Sequence, residues 1–567
     1  MTRSLKIIAL LILIPYLPVF PQLTSQDRHL LEIIGEWGQA GVMIPHPGRT
    51  ALEELSRNLS VTGAEGGQVR IMLSPLTSGW FINQKYPYEI IPREDHKGII
   101  TAGSKAQAME WTRYPTWQQY DSIVHYYADN YPRLCRLETI GSSIRGRSIY
   151  ALAINGSQGG DSDDKPGVFL TSTIHGDEPG GFVIMLRLVD HLLGNYDSDA
   201  RIRNLVDNLG IWINPLANPD GTYNMGDTIK SPVRFNANGY DLNRNFPDPD
   251  VVNPPRQKET IEMIRFLSEK RFVLSANFHS GAEVVNYPWD RWQRLHADDT
   301  WFRAVSRAYA DTVHKYSEPG YMTIFDNGIT NGYQWYRIYG GRQDFVTWEL
   351  QGREVTIEID RNFITPAERL EELWEFNRES LLGYLEIALS GIHGRVTDFM
   401  SGLPVPAAVT ISSHDKDNSH VYADTLTGRF VRFLGPGLWD LTVSADGYRD
   451  TVVTLSVADI RQRSDLLIQM KRILNPVDTT APPRPLLYPN PAAFHIRAVM
   501  PADLRGELNI VIFDPAGRKI RDYNSEAYEG SPVIIDVRTL SPGAYTAVFR
   551  NLATGASSAG RFIVARQ

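Results

Sequence analysis

Two polar side chains directly follow an apolar, β-branched run, and both are of types that bind metal ions. In "TSTIHGDEPGG", residues 171–181, His175 and Glu178 are separated by two residues. Zinc in proteins is held by imidazole nitrogens and carboxylate oxygens, and a catalytic zinc site has three protein ligands. Two ligands at this spacing can reach one ion from a tight turn, but the same residues suit a polar turn between a strand and a helix. The pair therefore indicates either part of a metal site or a turn, and a metal site needs a third ligand.

A candidate third ligand lies at the end of another apolar run. His279 closes "RFVLSANFH", and two more polar clusters, "NPLANPDG" and "NGYDLNRNFPD", occur elsewhere in the chain. In an open α/β sheet, ligands bind outside the carboxyl ends of the strands. Each cluster alone is compatible with loop chemistry, since Asn-Pro-Asp-Gly is a strong turn former. Four polar clusters of this kind favour one shared site.

The elements that must position these clusters follow an alternating pattern from about residue 114 to 388. Amphipathic helices such as "TWQQYDSIVHYYADNY" alternate with nearly continuous apolar strands such as "GVFLTST" and "REVTIEID". This pattern predicts an α/β fold with a mixed, mostly parallel central sheet and helices on both faces. After Ser390 the helical pattern ends, and short strands with Gly/Pro turns predict two small all-β sandwich domains.

Composition and the N-terminus narrow the class of protein. The 567-residue chain carries a formal net charge of −8, which argues against a nucleic-acid binder with a basic face. Arg3 and Lys6 precede the short apolar run "IIALLILIPYLPVF", which predicts a secretory signal peptide and no transmembrane segment in the mature chain. With Cys135 as the single cysteine, no intrachain disulfide can form. Export without disulfides favours a bacterial protein.

Residues of about 114–388 resemble the zinc carboxypeptidase family of the carboxypeptidase A/B type. The resemblance is closest to the N/E branch, which includes carboxypeptidases D, E, M and N. The matching motifs stand in the family's order: "HGDE", "NPDG", "RFNANGYDLNRNFPD", "HSGAEVVNYPWD", "GITNGYQWYRIYGGRQDF" and "EVTIEI". The resemblance implies a secreted, zinc-dependent carboxypeptidase that removes the C-terminal residue of peptides or proteins. A cell-wall peptide or amide hydrolase on the same scaffold, and a non-catalytic surface binding protein, are the alternatives.

The resemblance assigns the chemical roles residue by residue. It implies that one Zn²⁺ ion per chain is bound by His175, Glu178 and His279. Asp241 would orient the first histidine, as carboxylates behind metal-bound histidines do. Glu358 would be the general base that activates water, and Arg234 would stabilise the oxyanion. Without the resemblance, the alternation in "EVTIEI" would indicate that Glu358 faces solvent.

The resemblance also implies a set of substrate-binding residues. Arg244 with Asn243 would bind the free C-terminal carboxylate, for which a guanidinium fork is well suited. Tyr336 would cap the bound substrate, and Asn218 would contact its backbone. In the N/E branch an aspartate and a glutamine at the pocket floor select basic C-terminal residues, and Asp290 and Gln343 stand at those positions. The resemblance therefore implies a preference for C-terminal Lys or Arg.

The chain departs from the branch at positions that bear on the site. "HGDE" replaces the usual "HGNE" and places Asp177 between two candidate ligands, and "HSG" replaces "HGG". Arg342 stands beside Gln343, where the branch more often has an apolar residue. If Arg342 points into the pocket, it would repel a basic substrate side chain.

The flanking segments resemble known modules. Residues of about 390–472 resemble the transthyretin-like domain that follows the catalytic domain in this branch, and their His393 and His414 are interpreted as loop residues. The tail, with "YPNPA", "IFDPAGRKI" and "LSPGAYTAVF", resembles the C-terminal sorting domain of the Bacteroidetes type IX secretion system. It implies that the bacterial secretion machinery is a partner and that the protein is secreted or placed on the cell surface.

These observations predict six segments. The ranges are a signal peptide at 1–22, an N-terminal α/β segment and candidate prosegment at 23–112, the catalytic domain at 113–389, the transthyretin-like sandwich at 390–472, a Pro-rich linker at 473–486 and the sorting domain at 487–567.

Overall fold

The protein is represented by a computed structural model that describes residues 23–93, 98–156, 165–249, 254–473 and 484–565. The predicted signal peptide and most of the predicted Pro-rich linker lie outside the described residues. The chain divides into two compact units, Met1–Glu94 and Asp95–Gln567. No helix among the described residues combines the length and the apolar character that crossing a bilayer requires.

The first unit contains a small antiparallel sheet and helices. Its helices are α1 (Ser25–Trp37), α2 (Arg49–Asn58) and α3 (Ser78–Gln84). Its strands are β1 (Ala40–Pro45), β2 (Ser60–Glu65), β3 (Gln68–Leu73) and β4 (Glu89–Ile90), in the spatial order β2-β3-β1-β4. Helix α1 begins with a capping box, in which the Thr24 side chain accepts from the Asp27 backbone N–H and the Asp27 carboxylate accepts from the Thr24 N–H. The predicted N-terminal α/β character is thus seen in this unit.

The second unit is built on a large mixed sheet. Its strands are β5 (Cys135–Ser142), β6 (Ser148–Ile154), β7 (Gly167–Ser172), β8 (Gly210–Asn214), β9 (Leu274–His279), β10 (Ala282–Tyr287), β11 (Ile329–Asn331) and β12 (Arg353–Asp360). The spatial order is β11-β10-β12-β9-β7-β8-β6-β5. The central strands β12, β9, β7 and β8 are parallel to their neighbours in that series, whereas β10 is antiparallel to β12 and β6 is antiparallel to β8. Parallel strands at the centre bring their carboxyl ends to one edge.

Helices cover both faces of this sheet. They are α4 (Lys105–Ala108), α5 (Trp117–Asn130), α6 (Gly180–Gly194), α7 (Ala200–Asn208), α8 (Pro219–Thr222), α9 (Lys258–Lys270), α10 (Asp299–Tyr316), α11 (Ile324–Asn327), α12 (Gly332–Trp335), α13 (Arg342–Glu349) and α14 (Leu370–Ile387), with 3-10 turns at Leu242–Arg244 and Ala367–Arg369. Leu170 of β7 packs in one apolar cluster with α6 and α14, whereas its neighbour Phe169 packs in another with α9 and α13. Successive residues of a strand point to opposite faces, so the two clusters lie on opposite sides of the sheet. The predicted fold class is confirmed.

Two β-sandwiches follow. The first contains β13 (Gly391–Asp398), β14 (Ala408–Ile411), β15 (Val421–Tyr422), β16 (Arg429–Arg432), β17 (Gly437–Ser444), β18 (Thr451–Val457) and β19 (Arg463–Met470). The second contains β20 (Leu486–Tyr488), β21 (His495–Val499), β22 (Gly506–Phe513), β23 (Lys519–Ala527), β24 (Val533–Asp536), β25 (Gly543–Asn551) and β26 (Ser557–Val564), with a 3-10 turn at Ala502–Leu504. Each consists of a three-stranded and a four-stranded sheet around its own apolar core.

The first boundary differs from the predicted one. We predicted that the N-terminal segment extends to residue 112, but the compact unit ends at Glu94. Ala102, Ala108 and Trp111 are buried in the same apolar cluster as helices α5 and α6. Because their side chains contribute to that core, residues 98–112 belong structurally with the large sheet.

A buried ion cluster joins the first β-sandwich to the large sheet. Asp298, just before α10, accepts hydrogen bonds from Arg353 at the start of β12 (2.6 Å) and from Arg432 of β16 (2.6 Å). His414 Nε2 lies 2.8 Å from the same carboxylate. Burial acts to raise the pKa of Asp298, but the two arginines outweigh it and hold that pKa well below its usual range. His414, interpreted from the sequence as a loop residue, is thus part of a contact between domains.

Candidate metal centre and substrate pocket

The parallel register of β7 and β9 places the two candidate histidines side by side. Ser172, the last residue of β7, lies beside Phe278, and His279 ends β9. His175 follows β7 by three residues and therefore emerges at the same sheet edge. Gly176 lets this loop approach another closely, because a Cβ atom there would lie only 2.2 Å from the carbonyl carbon of Gly221. The turn after β7 thus has room for no larger residue at position 176.

The three candidate ligands converge in a buried cluster. His175 Nδ1 lies 2.9 Å from Glu178 Oε1, and His279 Nδ1 lies 2.8 Å from Glu178 Oε2. The two Nδ1 atoms are 3.1 Å apart. One ligand atom from each residue lies within 4.8 Å of the others, and all three residues are buried.

The donor set fits zinc. His175 Nε2 lies 3.0 Å from Asp241 Oδ1, and because an ionised carboxylate only accepts, that ring nitrogen carries the proton. The lone pair of His175 Nδ1 then faces the other donors. Two imidazole nitrogens and a carboxylate in this arrangement are the ligands that zinc takes in catalytic sites. Asp241 supplies the hydrogen bond that fixes the orientation of the ring.

Electrostatic effects keep Glu178 and His279 in the forms that bind metal. Burial acts to raise the pKa of Glu178, but His175 and His279 outweigh it and lower that pKa below its ordinary value. Burial lowers the pKa of His279 to about 4, which keeps its imidazole neutral at neutral pH. Burial also acts to lower the pKa of His175, but Glu178 and Asp241 give a net upward shift. The cluster therefore combines an ionised carboxylate with a neutral imidazole.

Arg234 lies against the same cluster. Its Nε donates to Asp241 Oδ2 (3.0 Å), and its Nη1 donates to Glu178 Oε1 (3.1 Å). Burial acts to lower the pKa of Arg234, but Asp241, Glu178 and Asp177 raise it, so the guanidinium is charged. The structure thus brings the predicted oxyanion arginine to the candidate ligands and places Asp177, the departure in "HGDE", in its electrostatic surroundings.

Glu358 lies on the strand next to His279. In the parallel pairing of β9 with β12, Glu358 is directly opposite His279. Every residue of β12 is buried, so the solvent-facing position that alternation alone would indicate is wrong. Burial, and then the charges of Glu178 and Asp290, raise the pKa of Glu358 well above its ordinary value, against the effect of Arg234. The predicted base and the predicted ligands therefore share one site.

Asp290 is hydrogen-bonded to two amide side chains. Its Oδ1 accepts from Gln343 Nε2 (3.0 Å) and from Asn286 Nδ2 (2.9 Å). The Oδ1 of Asn286 and the Oε1 of Gln343 are buried and accept no hydrogen bond among the described residues. Burial raises the pKa of Asp290 to about 6. Sequence reasoning did not single out Asn286, although a polar residue in the otherwise apolar end of β10 is a signal that could have identified it.

The predicted carboxylate clamp and cap lie near Asp290. The Arg342 backbone N–H donates to Asn243 Oδ1 (2.9 Å), and Arg244 Nη1 donates to the Asn243 carbonyl (2.9 Å). Tyr336 is half-buried, and burial raises the pKa of its phenol to about 12, with further effects from Arg244, Glu358, Arg234 and Asp290. The structure therefore brings Tyr336 and Arg244 to the same site as the predicted base.

Arg342 is paired with Glu354 inside the protein. Its guanidinium is fully buried and donates from Nη2 to Glu354 Oε2 (2.8 Å), which also accepts from Ser275 Oγ (2.6 Å). Its charge is neutralised by Glu354. The repulsion of a basic substrate side chain that an inward-pointing Arg342 would cause is therefore absent from this arrangement.

Asn218 requires a correction. We predicted a contact with the substrate backbone, but its Nδ2 donates to the carbonyls of Ile174 (3.2 Å) and Arg234 (3.3 Å). Its Oδ1 accepts from the Gly221 N–H (3.0 Å), and the residue is fully buried. Because both amide hydrogens are used within the protein, Asn218 holds the loops of the site together instead of contacting substrate.

Two segments of the chain match known protein families. Residues 120–380 match the zinc carboxypeptidase family, and residues 486–565 match the secretion system C-terminal sorting domain. The second match confirms the predicted sorting domain and the export to the cell surface or medium that it implies. No comparison tests the predicted transthyretin-like domain, which stays a prediction.

Similar proteins differ in how much of their length is matched. The chain is 32% identical over 360 residues to carboxypeptidase M of Mus musculus, covering 61% of this chain and 81% of that protein. It is 35% identical over 361 residues to carboxypeptidase D of Anas platyrhynchos, covering 61% of this chain and 26% of that protein. It thus spans about a quarter of the carboxypeptidase D relative. The crystal structure of carboxypeptidase A from Helicoverpa armigera aligns with a TM-score of 0.49 at 17% identity, covering 62% of this chain and 97% of that one.

Proposed function

Since this chain belongs to the zinc carboxypeptidase family, we propose that it is an exported zinc-dependent enzyme that hydrolyses the C-terminal peptide bond of peptides or proteins. The observation that carries the proposal is the convergence of His175, Glu178 and His279, with Glu358 directly opposite His279 on the neighbouring strand. Three ligands and an adjacent carboxylate are what metal-assisted hydrolysis requires.

The three ligand residues would hold Zn²⁺. When bound, zinc supplies Lewis acidity, which polarises the scissile carbonyl and lowers the pKa of water. A divalent cation beside Glu178 would also offset one of the charges that raise the pKa of Glu358. Glu358 would then accept a proton from the attacking water and deliver it to the leaving amine. Arg234, held by Asp241 and Glu178, would stabilise the negative charge that develops on the carbonyl oxygen.

Exopeptidase action requires recognition of a free carboxylate. Arg244 lies near Asn243 and Tyr336 beside the candidate metal centre. The Asn243 Oδ1 already accepts from the Arg342 N–H, which leaves the Asn243 amide hydrogens as donors for a carboxylate. Together these groups would hold the substrate terminus so that only its last peptide bond reaches Glu358.

A preference for C-terminal Lys or Arg follows from the polarity of the pocket floor. Asp290 presents a carboxylate, and Asn286 and Gln343 each present a buried acceptor oxygen. A cationic side chain would donate hydrogen bonds to these acceptors, whereas Leu or Phe would leave them desolvated and unpaired. Arg342 is paired with Glu354, so its charge would not repel a cationic substrate side chain, which supports the same preference.

The test is a residue-release assay on purified protein with peptides ending in Arg, Lys, Leu and Phe. We expect release of single C-terminal residues, fastest for Arg and Lys, and loss of activity with a zinc chelator that added Zn²⁺ reverses. Activity that resists the chelator would contradict the zinc dependence. Release of amino acids from cell-wall fragments but not from these peptides would favour an amide hydrolase instead.

A further inference from the structure

The first turn of α13 contacts the backbone that carries Asp290. The Asp344 Oδ1 accepts from the Asp290 N–H (3.0 Å), and its Oδ2 accepts from the Arg291 N–H (3.1 Å). Asp344 is 8% exposed, so water competes little for these bonds. Both oxygens of one carboxylate therefore bind two consecutive amides, an arrangement that fixes the orientation of the peptide as well as its position.

Little space surrounds the Asp290 carboxylate. A Cβ atom on Gly332 would lie 1.9 Å from Asp290 Oδ1, and one on Gly341 would lie 3.6 Å from Asp290 Oδ2. The Asp290 carbonyl also accepts from the Ile338 N–H (3.2 Å). The Asp290 carboxylate therefore lies close against the main chain of Gly332, with no room there for a side chain. The direction of this carboxylate therefore depends on how firmly its backbone is held.

We propose that Asp344 is a positioning residue for substrate selection, which holds the backbone at Asp290 and Arg291 so that the Asp290 carboxylate faces the last side chain of the substrate. The inference rests on the Lys/Arg preference proposed above. Asp344 itself would not touch the substrate; it would act through Asp290. Displacing a recognition group by a fraction of an ångström is enough to weaken binding of the group that it recognises.

Asp344 also interacts electrostatically with Asp290. Burial and then Asp290 raise the pKa of Asp344, so the two carboxylates oppose each other's ionisation. The other ionisable groups that act on Asp290 or respond to it are Arg244, Tyr336, Glu354 and Glu358, and Asp248 acts on Asp344. A purely structural role for Asp344 would lower activity on basic and apolar substrates alike, whereas positioning of Asp290 changes the response to basic side chains alone.

The experiment compares Asp344→Asn and Asp344→Ala with the wild-type protein and with Glu349→Gln, a matched control in the last turn of the same helix. The readouts are kcat and KM on paired peptides ending in Arg and Leu, across pH 5 to 8. We expect the Arg/Leu ratio of kcat/KM to fall about tenfold in the Ala variant and less in the Asn variant, with kcat for the Leu peptide unchanged. Glu349→Gln should change neither.

Each outcome distinguishes this inference from the function on which it rests. Wild-type protein with no preference for Arg would overturn both the proposed specificity and the role of Asp344. If the wild-type protein prefers Arg and both variants keep that preference within twofold, the role of Asp344 alone is overturned. An equal fall in kcat for both peptides would have the same consequence. Zinc content and thermal midpoint, measured for every variant, show whether the fold is intact. If the Ala variant does not fold, the Arg/Leu ratio of kcat/KM in the Asn variant provides the same test.

Discussion

Glu358 of β12 lies directly opposite His279 of β9 in a parallel pair of buried strands. Because the two strands are hydrogen-bonded neighbours, the candidate base and the candidate zinc ligand are held at a separation that the sheet itself fixes. Loop movements elsewhere in the site leave that separation unchanged. This rigidity suits a site whose chemistry depends on a carboxylate placed beside a metal.

Replacing Glu358 with Gln is expected to lower kcat by about a thousandfold, the scale of general acid–base catalysis. The amide has nearly the same shape but cannot accept the proton from water. Zinc binding should be unchanged because Glu358 is not among the three converging ligands. Steady-state kinetics and metal analysis on the same preparation check both statements. Unchanged turnover would remove Glu358 from the mechanism.

Replacing Asp241 with Asn is expected to weaken zinc binding by about ten- to a hundredfold, as loss of a carboxylate behind a metal-bound histidine does. Asp241 orients the His175 ring and also holds Arg234. A competition titration with a chelator of known affinity measures the change, with Asp190→Asn, at the hydrogen bond to Tyr127, as a control. Zinc affinity equal to that of the control would show that Asp241 does not support the metal site.

The selectivity for basic C-terminal residues is expected to depend on pH through Asp290. Burial raises its pKa from 3.8 to about 6, so the carboxylate is ionised above pH 6 and neutral below it. The Arg/Leu ratio of kcat/KM should therefore be high at pH 7 to 8 and fall as the pH drops through 6. Asp290→Asn should give a low ratio at every pH. A ratio independent of pH in the wild-type protein would contradict this role.

The raised pKa of Asp290 also makes the stability of the fold depend on pH. Selectivity is expected to rise with pH, whereas the contribution of Asp290 to stability is expected to fall. Between pH 3.8 and about 6 the folded protein binds a proton at Asp290 that the unfolded chain releases. This residue therefore contributes stability at low pH, and the contribution declines as pH rises through about 6. Urea unfolding of wild-type protein and Asp290→Asn at pH 5 and pH 7.5 tests it: the variant should gain stability relative to wild type at the higher pH.

Removing the carboxylate at Asp298 is expected to destabilise the second unit by about 3–5 kcal/mol, because Asp298→Ala leaves two buried arginines without their shared partner. The pKa of Asp298 lies well below its usual range, so this contribution is present at neutral pH and is lost only in strong acid. Denaturant unfolding measures the change. The exposed Asp450→Ala is the control and should lie within about 0.5 kcal/mol of wild type. A similarly small effect for Asp298→Ala would show that the cluster contributes little.

The sequence by itself determined the architecture and the ligand types. Apolar strands alternating with amphipathic helices specify a covered, largely parallel sheet, and such a sheet collects the residues after its strands at one edge. That local pattern is enough to bring His175, Glu178 and His279 into one hypothesis. The family resemblance then added Glu358, which alternation alone would have turned towards solvent.

The tertiary structure decided where the remaining polar groups point. It turned Arg342 towards Glu354, used the Asn218 amide to hold two loops, and placed the Asp344 carboxylate against backbone amides 54 and 53 positions away. Buried polar groups must find partners, and the partner each one finds depends on which segments the fold brings into contact. Those contacts join distant parts of the chain, so no local pattern of residues encodes them.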